Sequence, residues 1–330
     1  MKTIRWGIIG CGNVTEVKSG PGFQKAEGSQ LTAIMRRDGA KARDYAERHG
    51  VPRWYDDADR LIHDPEVDAV YVATPPSTHA DYAVRVARAG KPVYVEKPMA
   101  RDADECRRMI TACREAGVPL FVAYYRRALP RFLKVRELLE AGAIGAPRFV
   151  TVTQYYAPGE YDPDNLPWRV QPEIAGAGLF LDLAAHTLDI LDFLLGPVTE
   201  AKGMAINQAG LYPAEDCVAA GLTFTGGALG AGIWCFTAYN ESAVDVNEIV
   251  GSKGKLRFST FGAEPFELHT AEGVTLHPAP TPPHIQQPLI QTIVNALNGG
   301  PPCPSTGDTA LRTSEVMDAI LRDWRARMVG

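Results

Sequence analysis

Residues 4–9, IRWGII, form an apolar run that stops at Gly10-Cys11-Gly12. No other segment constrains the fold as tightly. A short apolar run that breaks on two glycines and resumes as a helical pattern predicts a strand, a tight turn and a helix. Gly10 permits the turn. Gly12 lets the backbone approach a pyrophosphate, whose charge suits the free amides of a helix N-terminus. Asn13 and Val14 open that helix and belong to the same turn. The third glycine position of the fingerprint holds Thr15, so the motif is incomplete and a plain strand–turn–helix competes with it. Its place on the first strand of a β/α alternation favours nucleotide binding.

The alternation runs through the first third of the chain. Strand-like runs at residues 31–35, 69–73, 92–95 and 120–123 are separated by helical patterns at 40–49, 79–89 and 102–116. Such a rhythm predicts a parallel sheet with helices on both faces. After about residue 125 the rhythm changes. A helical stretch at 129–141 and a strand at 149–155 precede a long amphipathic helix at 179–195. Strand-like runs at 200–206, 217–224, 228–236, 243–251, 255–259 and 266–270 then follow without helices between them, which suggests a mainly antiparallel sheet. Helices return at 286–297 and 308–328, and the proline-rich stretch 277–288 reads as a surface loop. The expected fold is α/β with two domains, which suits 330 residues. Residues 1–123 form the nucleotide-binding domain. Residues 124–330 form an α+β domain for substrate and oligomerisation, with the last helix packing back on the first domain.

Lys and Arg total 34 against 39 Asp and Glu, a net charge of −5. An acidic chain without a basic arm has no general attraction for nucleic acid or an anionic membrane. The six cysteines form no CxxC pair, and the N-terminus runs straight into a strand rather than a signal peptide. No apolar run approaches the length of a membrane span. The expectation is a cytoplasmic protein with free thiols, no membrane, no nucleic acid and no metal.

Three further motifs bear chemistry. Met35-Arg36-Arg37-Asp38 ends the second strand, where an acid usually binds the ribose of NAD. Two guanidiniums there suit the 2′-phosphate of NADP instead, unless they are solvated surface arginines. Val93-Tyr94-Val95-Glu96-Lys97-Pro98 places Lys97 at the carboxyl end of a strand, where ligands bind in open α/β sheets. A surface ion pair before a turn is the bland alternative. Finally, Gly176-Ala177-Gly178 leads into Asp182 and His186, four residues apart on one helix face. A histidine beside a carboxylate suits proton transfer near neutral pH. A surface i,i+4 pair would need no function. Asp189 lies one turn further on, and these three residues are too few to hold a metal.

Together these motifs resemble the glucose–fructose oxidoreductase, inositol dehydrogenase and rhizopine-catabolism (Gfo/Idh/MocA) family over nearly the whole chain. The Gly10 to Gly12 turn, Ala73-Thr74-Pro75-Pro76 with His79, Glu96-Lys97-Pro98, the glycine-led Asp182 and His186 segment, and residues 305–311 stand in family order. The resemblance implies an N-terminal Rossmann domain and a C-terminal domain with a large open sheet that forms a homodimer or homotetramer interface. It assigns Lys97 to cofactor and substrate hydroxyl, Asp182 to substrate positioning and His186 to acid/base chemistry. Pro98 would follow a cis bond. Thr74 and Pro75 would line the nicotinamide side, with His79 and Glu96 in the same cofactor-binding set, and Arg37 would meet a 2′-phosphate. Gly176-Ala177-Gly178 departs from the family's three glycines. Tyr125, Arg126, Tyr156, Trp168 and Arg169 could shape the substrate pocket. The function implied is hydride transfer between NADP, or alternatively NAD, and a hydroxyl or carbonyl carbon of a sugar, polyol or related small molecule. An NAD-retaining glycosidase and a non-catalytic nucleotide sensor are the competing readings.

Overall fold

A computed structural model describes residues 1–329, in two compact units. Unit 1 comprises residues 1–129 and 282–311, and unit 2 comprises residues 130–281 and those from 312 onward.

In unit 1, strands β1 (Ile4–Ile9), β2 (Ser29–Met35), β3 (Arg53–Tyr55), β4 (Ala69–Val72), β5 (Val93–Val95) and β6 (Leu120–Val122) form a parallel sheet in the order β3-β2-β1-β4-β5-β6. Helices α1 (Asn13–Val17), α2 (Gly20–Lys25), α3 (Gly39–His49), α4 (Ala58–Ile62), α5 (His79–Arg88) and α6 (Ala103–Glu115) connect them. The central strands are covered on both faces, which explains their unbroken Val, Ile and Tyr runs. Trp6, Phe23, Tyr71 and Tyr94 fill the space under α2, with the Tyr71 and Tyr94 rings stacked at 4.7 Å. Strand order reverses between β1 and β4. The loops leaving their carboxyl ends therefore border the crevice in which open sheets of this type bind ligands. Strand β3 was not legible in sequence: it is three residues long and mostly exposed.

Unit 2 opens with α7 (Pro130–Glu140) and β7 (Pro147–Tyr155), followed by α8 (Pro172–Ala175), a π-turn over Phe180–Ala184 and α9 (Ala185–Leu195). Seven strands follow: β8 (Val198–Ile206), β9 (Cys217–Phe224), β10 (Leu229–Cys235), β11 (Val244–Gly251), β12 (Gly254–Phe258), β13 (Phe266–Thr270) and β14 (Gly273–His277). The sheet runs β14-β13-β12-β11-β7-β10-β9-β8, antiparallel except for the β7–β10 pair. One face buries Val150, Val152, Val218, Leu222, Trp234 and Ile249, and Phe180 meets Trp234 edge-on at 5.2 Å. The other face exposes Met204, Leu229 and Ile233.

The chain ends with α10 (Gln287–Leu297), in unit 1, and α11 (Gly307–Val329), whose residues from 312 onward belong to unit 2. Three expectations need correction. The first unit extends to residue 129, because the helical turn Tyr125–Ala128 after β6 belongs with it. The helix that returns to unit 1 is α10, seated where a Cβ on Gly22 would come within 2.9 Å of Ile290. Most of the last helix packs instead on the unit 2 sheet, where Ile320 lies against Gly203. Residues 179–195 are not one amphipathic helix: the π-turn interrupts it, and eight of the eleven residues of α9 are buried. Pro172–Leu195 is long and apolar enough by composition to cross a membrane, but 72% of that window is buried in the fold, as in a core helix.

Candidate active site

The glycine turn is built as its residues require. Gly10 has φ +92°, and a Cβ there would lie 2.7 Å from Thr74 Cγ2. Its N–H donates to Met35 O at 2.9 Å, tying the turn to the end of β2. Gly12 differs: a Cβ there would meet nothing within 4 Å, so open space adjoins its backbone. That fits a group that must come close to the main chain. Asn13 is exposed and Val14 half-buried on this rim. Thr15, in the place of the third glycine, is fully buried; its hydroxyl donates to Gly12 O at 2.8 Å, and its carbonyl accepts from Tyr45 at 2.9 Å. A second anchor thus replaces what a small residue would allow. Burial pushes the Cys11 thiol up to about 11.

Arg36 is half-buried and donates to Cys11 O at 3.3 Å, while Arg37 is exposed beside it. Asp38 is occupied elsewhere. It caps α3 by accepting from the Lys41 N–H at 3.1 Å, and its carboxylate lies 3.4 Å from Lys41 Nζ. Those contacts hold its carboxyl below the usual range.

Three loops leave the carboxyl ends of β4, β5 and β6. Thr74 and Pro75 are half-buried, and the Thr78 hydroxyl closes their turn by donating to Thr74 Oγ1 at 2.8 Å. Lys97, half-buried, precedes Pro98 across a cis peptide bond. His79 and Glu96 are both buried and bonded to neighbouring groups of the same unit. His79 has no exposed surface. Its Nε2 lies 2.7 Å from Thr74 O, and its Nδ1 lies 3.1 Å and 3.2 Å from the carbonyls of Pro98 and Met99. It therefore ties the Thr74 loop to the Lys97 loop, and burial lowers its pKa. Glu96 is also buried. Tyr71 donates to Oε1, Gln286 Nε2 donates to the same atom at 2.7 Å, and the Lys97 N–H donates to Oε2 at 2.9 Å. Its carboxylate is a bracket between the core and the Lys97 backbone. Burial and Glu96 push the Tyr71 hydroxyl far above its ordinary value. Tyr125 and Arg126 are almost fully buried in the turn after β6.

In unit 2, the π-turn presents Asp182, whose Oδ2 accepts from Arg169 Nε at 3.1 Å. The Arg169 guanidinium lies 4.4 Å over the Trp168 ring. These two pocket candidates and Asp182 thus form one cluster. His186, 4% exposed, meets the Phe261 ring edge-on at 5.8 Å. Tyr156, half-buried, stacks parallel to Phe236 at 6.0 Å. Asp189 is fully buried and accepts from the Thr313 hydroxyl.

Sequence reasoning missed three supporting residues. Gln286 lies 190 positions from Glu96 in a stretch read as a surface loop. Glu215, fully buried, accepts the Gly178 N–H at 2.9 Å and 3.0 Å ahead of the π-turn. A Cβ on Gly178 would lie 2.7 Å from Ala214 Cβ, which explains the glycine. Burial pushes the Glu215 carboxyl up to about 7, against the pull of the Gly178 amide. Asp245 accepts from Ser259, from the Phe261 N–H at 2.6 Å and from Gln154 at 2.9 Å. It thereby holds the loop that sets Phe261 against His186. The acidic pair Glu215-Asp216 before an apolar strand was the one available signal.

Two family models match the chain. One is an oxidoreductase family with an NAD-binding Rossmann fold, over residues 4–124, and the other is the GFO/IDH/MocA C-terminal domain, over residues 132–257. The chain is 36% identical to oxidoreductase P35 of Formosa agariphila, over 96% of this chain and 98% of that one. It is 29% identical to 1,5-anhydro-D-fructose reductase of Ensifer adhaerens, over 92% and 91%. The WlbA dehydrogenase of Bordetella pertussis, solved with NADH and UDP-GlcNAcA, superposes with a TM-score of 0.85 at 26% identity, covering 98% of this chain and 96% of that one.

Proposed function

The chain belongs to the GFO/IDH/MocA family of NAD(P)-binding oxidoreductases, and from that premise we propose that it transfers hydride between NADP and a hydroxyl or carbonyl carbon of a sugar, polyol or related compound. The observation that carries the reading is Lys97 at the carboxyl end of β5, its backbone fixed by the buried Glu96. A loose surface lysine would need no such bracket. Relatives that act on 1,5-anhydro-D-fructose and bind a nucleotide sugar support the substrate class.

When bound, the nicotinamide supplies the acceptor or donor of hydride. His186 takes the proton of the substrate hydroxyl during oxidation and returns it during reduction. Lys97 stabilises the negative charge that develops on the same oxygen. Asp182, steadied by Arg169, orients the substrate through its hydroxyls. Trp168 and Tyr156 supply apolar walls suited to the faces of a sugar ring.

Arg36 and Arg37 support the preference for NADP. Asp38 is engaged in capping α3, whereas two guanidiniums suit a phosphate. The apolar residues on the open sheet face support a homodimer or homotetramer. Fluorescence titration of nucleotide-stripped protein with NADPH and NADH tests the cofactor. Tighter NADPH binding that is lost in Arg36→Ala/Arg37→Ala is expected. Equal or tighter NADH binding would reject the NADP preference, and binding of neither would reject the enzymatic reading.

A further inference from the structure

The core face of the unit 2 sheet is apolar through Val150, Val152 and Ile249 and turns polar at one end, where Gln154 of β7 and Asp245 of β11 stand opposite each other. Gln154, Asn247, Thr260 and Thr187, the residue after His186, are all buried there. Burying polar side chains costs free energy unless each is bonded, and apolar residues would fill the same space at less cost. Such a network beside a candidate proton carrier points to a task beyond packing.

Asp245 Oδ1 accepts from Gln154 Nε2 at 2.9 Å and from the Thr260 N–H at 3.2 Å, while Oδ2 accepts from the Phe261 N–H at 2.6 Å and from the Ser259 hydroxyl. Four donors fill the acceptor positions of one ionised carboxylate, which donates nothing. Its charge therefore sets the direction of the bonds behind it. Gln154 turns its amide nitrogen to Asp245 and its carbonyl to Thr187, whose hydroxyl donates to it at 3.1 Å. The Thr187 oxygen, with its proton so committed, accepts from Thr260 at 3.1 Å, and Thr260 accepts from Asn247 Nδ2 at 2.9 Å.

We propose that Asp245 is a positioning residue for proton transfer by His186, an inference that rests on the reading of His186 as the acid/base. One carboxylate oxygen acts through Gln154 and Thr187 on the helical turn that carries the imidazole. The other holds loop 259–262, which sets the Phe261 ring edge-on against the imidazole at 5.8 Å. Ser259 reinforces that loop, its hydroxyl oxygen accepting the N–H groups of Phe261 at 3.2 Å and Gly262 at 2.6 Å. His186 enters α9 directly after the π-turn, where helix regularity alone does not fix its rotation. The network supplies that constraint from the backbone side and from the ring side at once.

NMR of the full chain, isotopically labelled at histidine Cε1, tests the proposal without any substrate. The chain has seven histidines, and His186→Ala identifies the resonance of interest by its disappearance. Phe261→Leu removes the ring current acting on it and supplies a reference position. Asp245→Asn keeps the size of the side chain but cannot accept from all four donors. In that variant the His186 resonance should move toward the reference and broaden, while the other histidines hold their places. Ser259→Ala should move it the same way, and it decides the matter if Asp245→Asn does not fold. An unmoved His186 resonance, or displacement of all the histidines together, overturns the proposal. Turnover by His186→Ala answers the separate question of whether His186 carries the proton. Near-wild-type turnover there rejects the acid/base reading even when the resonance moves as expected, so the two failures are told apart.

Discussion

Arg169 Nε donates to Asp182 Oδ2 at 3.1 Å while the same guanidinium lies 4.4 Å over the Trp168 ring. One exposed side chain thus joins an aromatic wall to the carboxylate proposed to orient substrate. The Arg169 side chain is 49% exposed, so the ion pair contributes less than about 1 kcal/mol to stability. Arg169→Ala should leave the unfolding midpoint almost unchanged and lower kcat/KM by about tenfold, mainly through KM. Arg169→Lys should recover little, because a lysine cannot both stack flat and direct a planar N–H at Asp182. Steady-state kinetics beside thermal melts would separate the two effects, and a large loss of stability would count against this account.

Lys97→Ala and His186→Ala should each lower kcat by about a hundredfold or more, the usual scale for a positioned acid, base or charge stabiliser. Nucleotide affinity should persist in His186→Ala. Single-turnover kinetics with the nucleotide at saturation is the check; turnover within a fewfold of wild type would remove either residue from the mechanism.

Gln286→Leu removes one donor from a buried carboxylate. The cost is about 1–3 kcal/mol of stability. Because Glu96 also fixes the Lys97 backbone, kcat should fall as well, with KM changing less. Gln286→Glu should be worse, since it sets a second carboxyl against Glu96 in the same buried space. Urea melts paired with kinetics would show whether stability and turnover move together.

Glu215 sets a pH dependence. Its folded pKa of about 7 exceeds its ordinary 4.5 because the group is buried. The native state therefore holds the proton more tightly, and stability declines as pH rises from about 4.5 through 7. Above that range the loss is on the order of 3 kcal/mol relative to a neutral isostere. Glu215→Gln keeps an acceptor for the Gly178 N–H, so it should match wild type in mild acid and melt higher in mild alkali. Coincident melting curves across the whole range would contradict it.

Local patterns revealed what is local. The strand–glycine turn, the β/α rhythm and the Glu96-Lys97-Pro98 corner were all legible, because each element is dictated by residues next to one another. Asp38 was read only as the end of the second-strand segment, although an acid just ahead of a helical pattern is an ordinary N-cap signal. The π-turn was invisible because its residues keep a helical hydrophobic period. Gln286, Glu215 and Asp245 were invisible for a different reason. Each earns its role from a partner far along the chain, and no spacing rule reaches that distance. His79 and Glu96 were found through their motifs, but the contacts by which each ties neighbouring loops together were not, since burial and long-range packing decide them.

Strand β7 is the first strand of its sheet in sequence and lies inside it, between β10 and β11. During synthesis it leaves the ribosome with both edges bare. Neither edge is satisfied until Leu229 and Val244 begin the strands that flank it. The sheet cannot grow outward from a local hairpin at β7, so this half of the protein must fold late and through long-range closure. Crowded nascent chains are most exposed to mispairing during that interval, and truncation before β11 leaves an open template rather than a smaller domain.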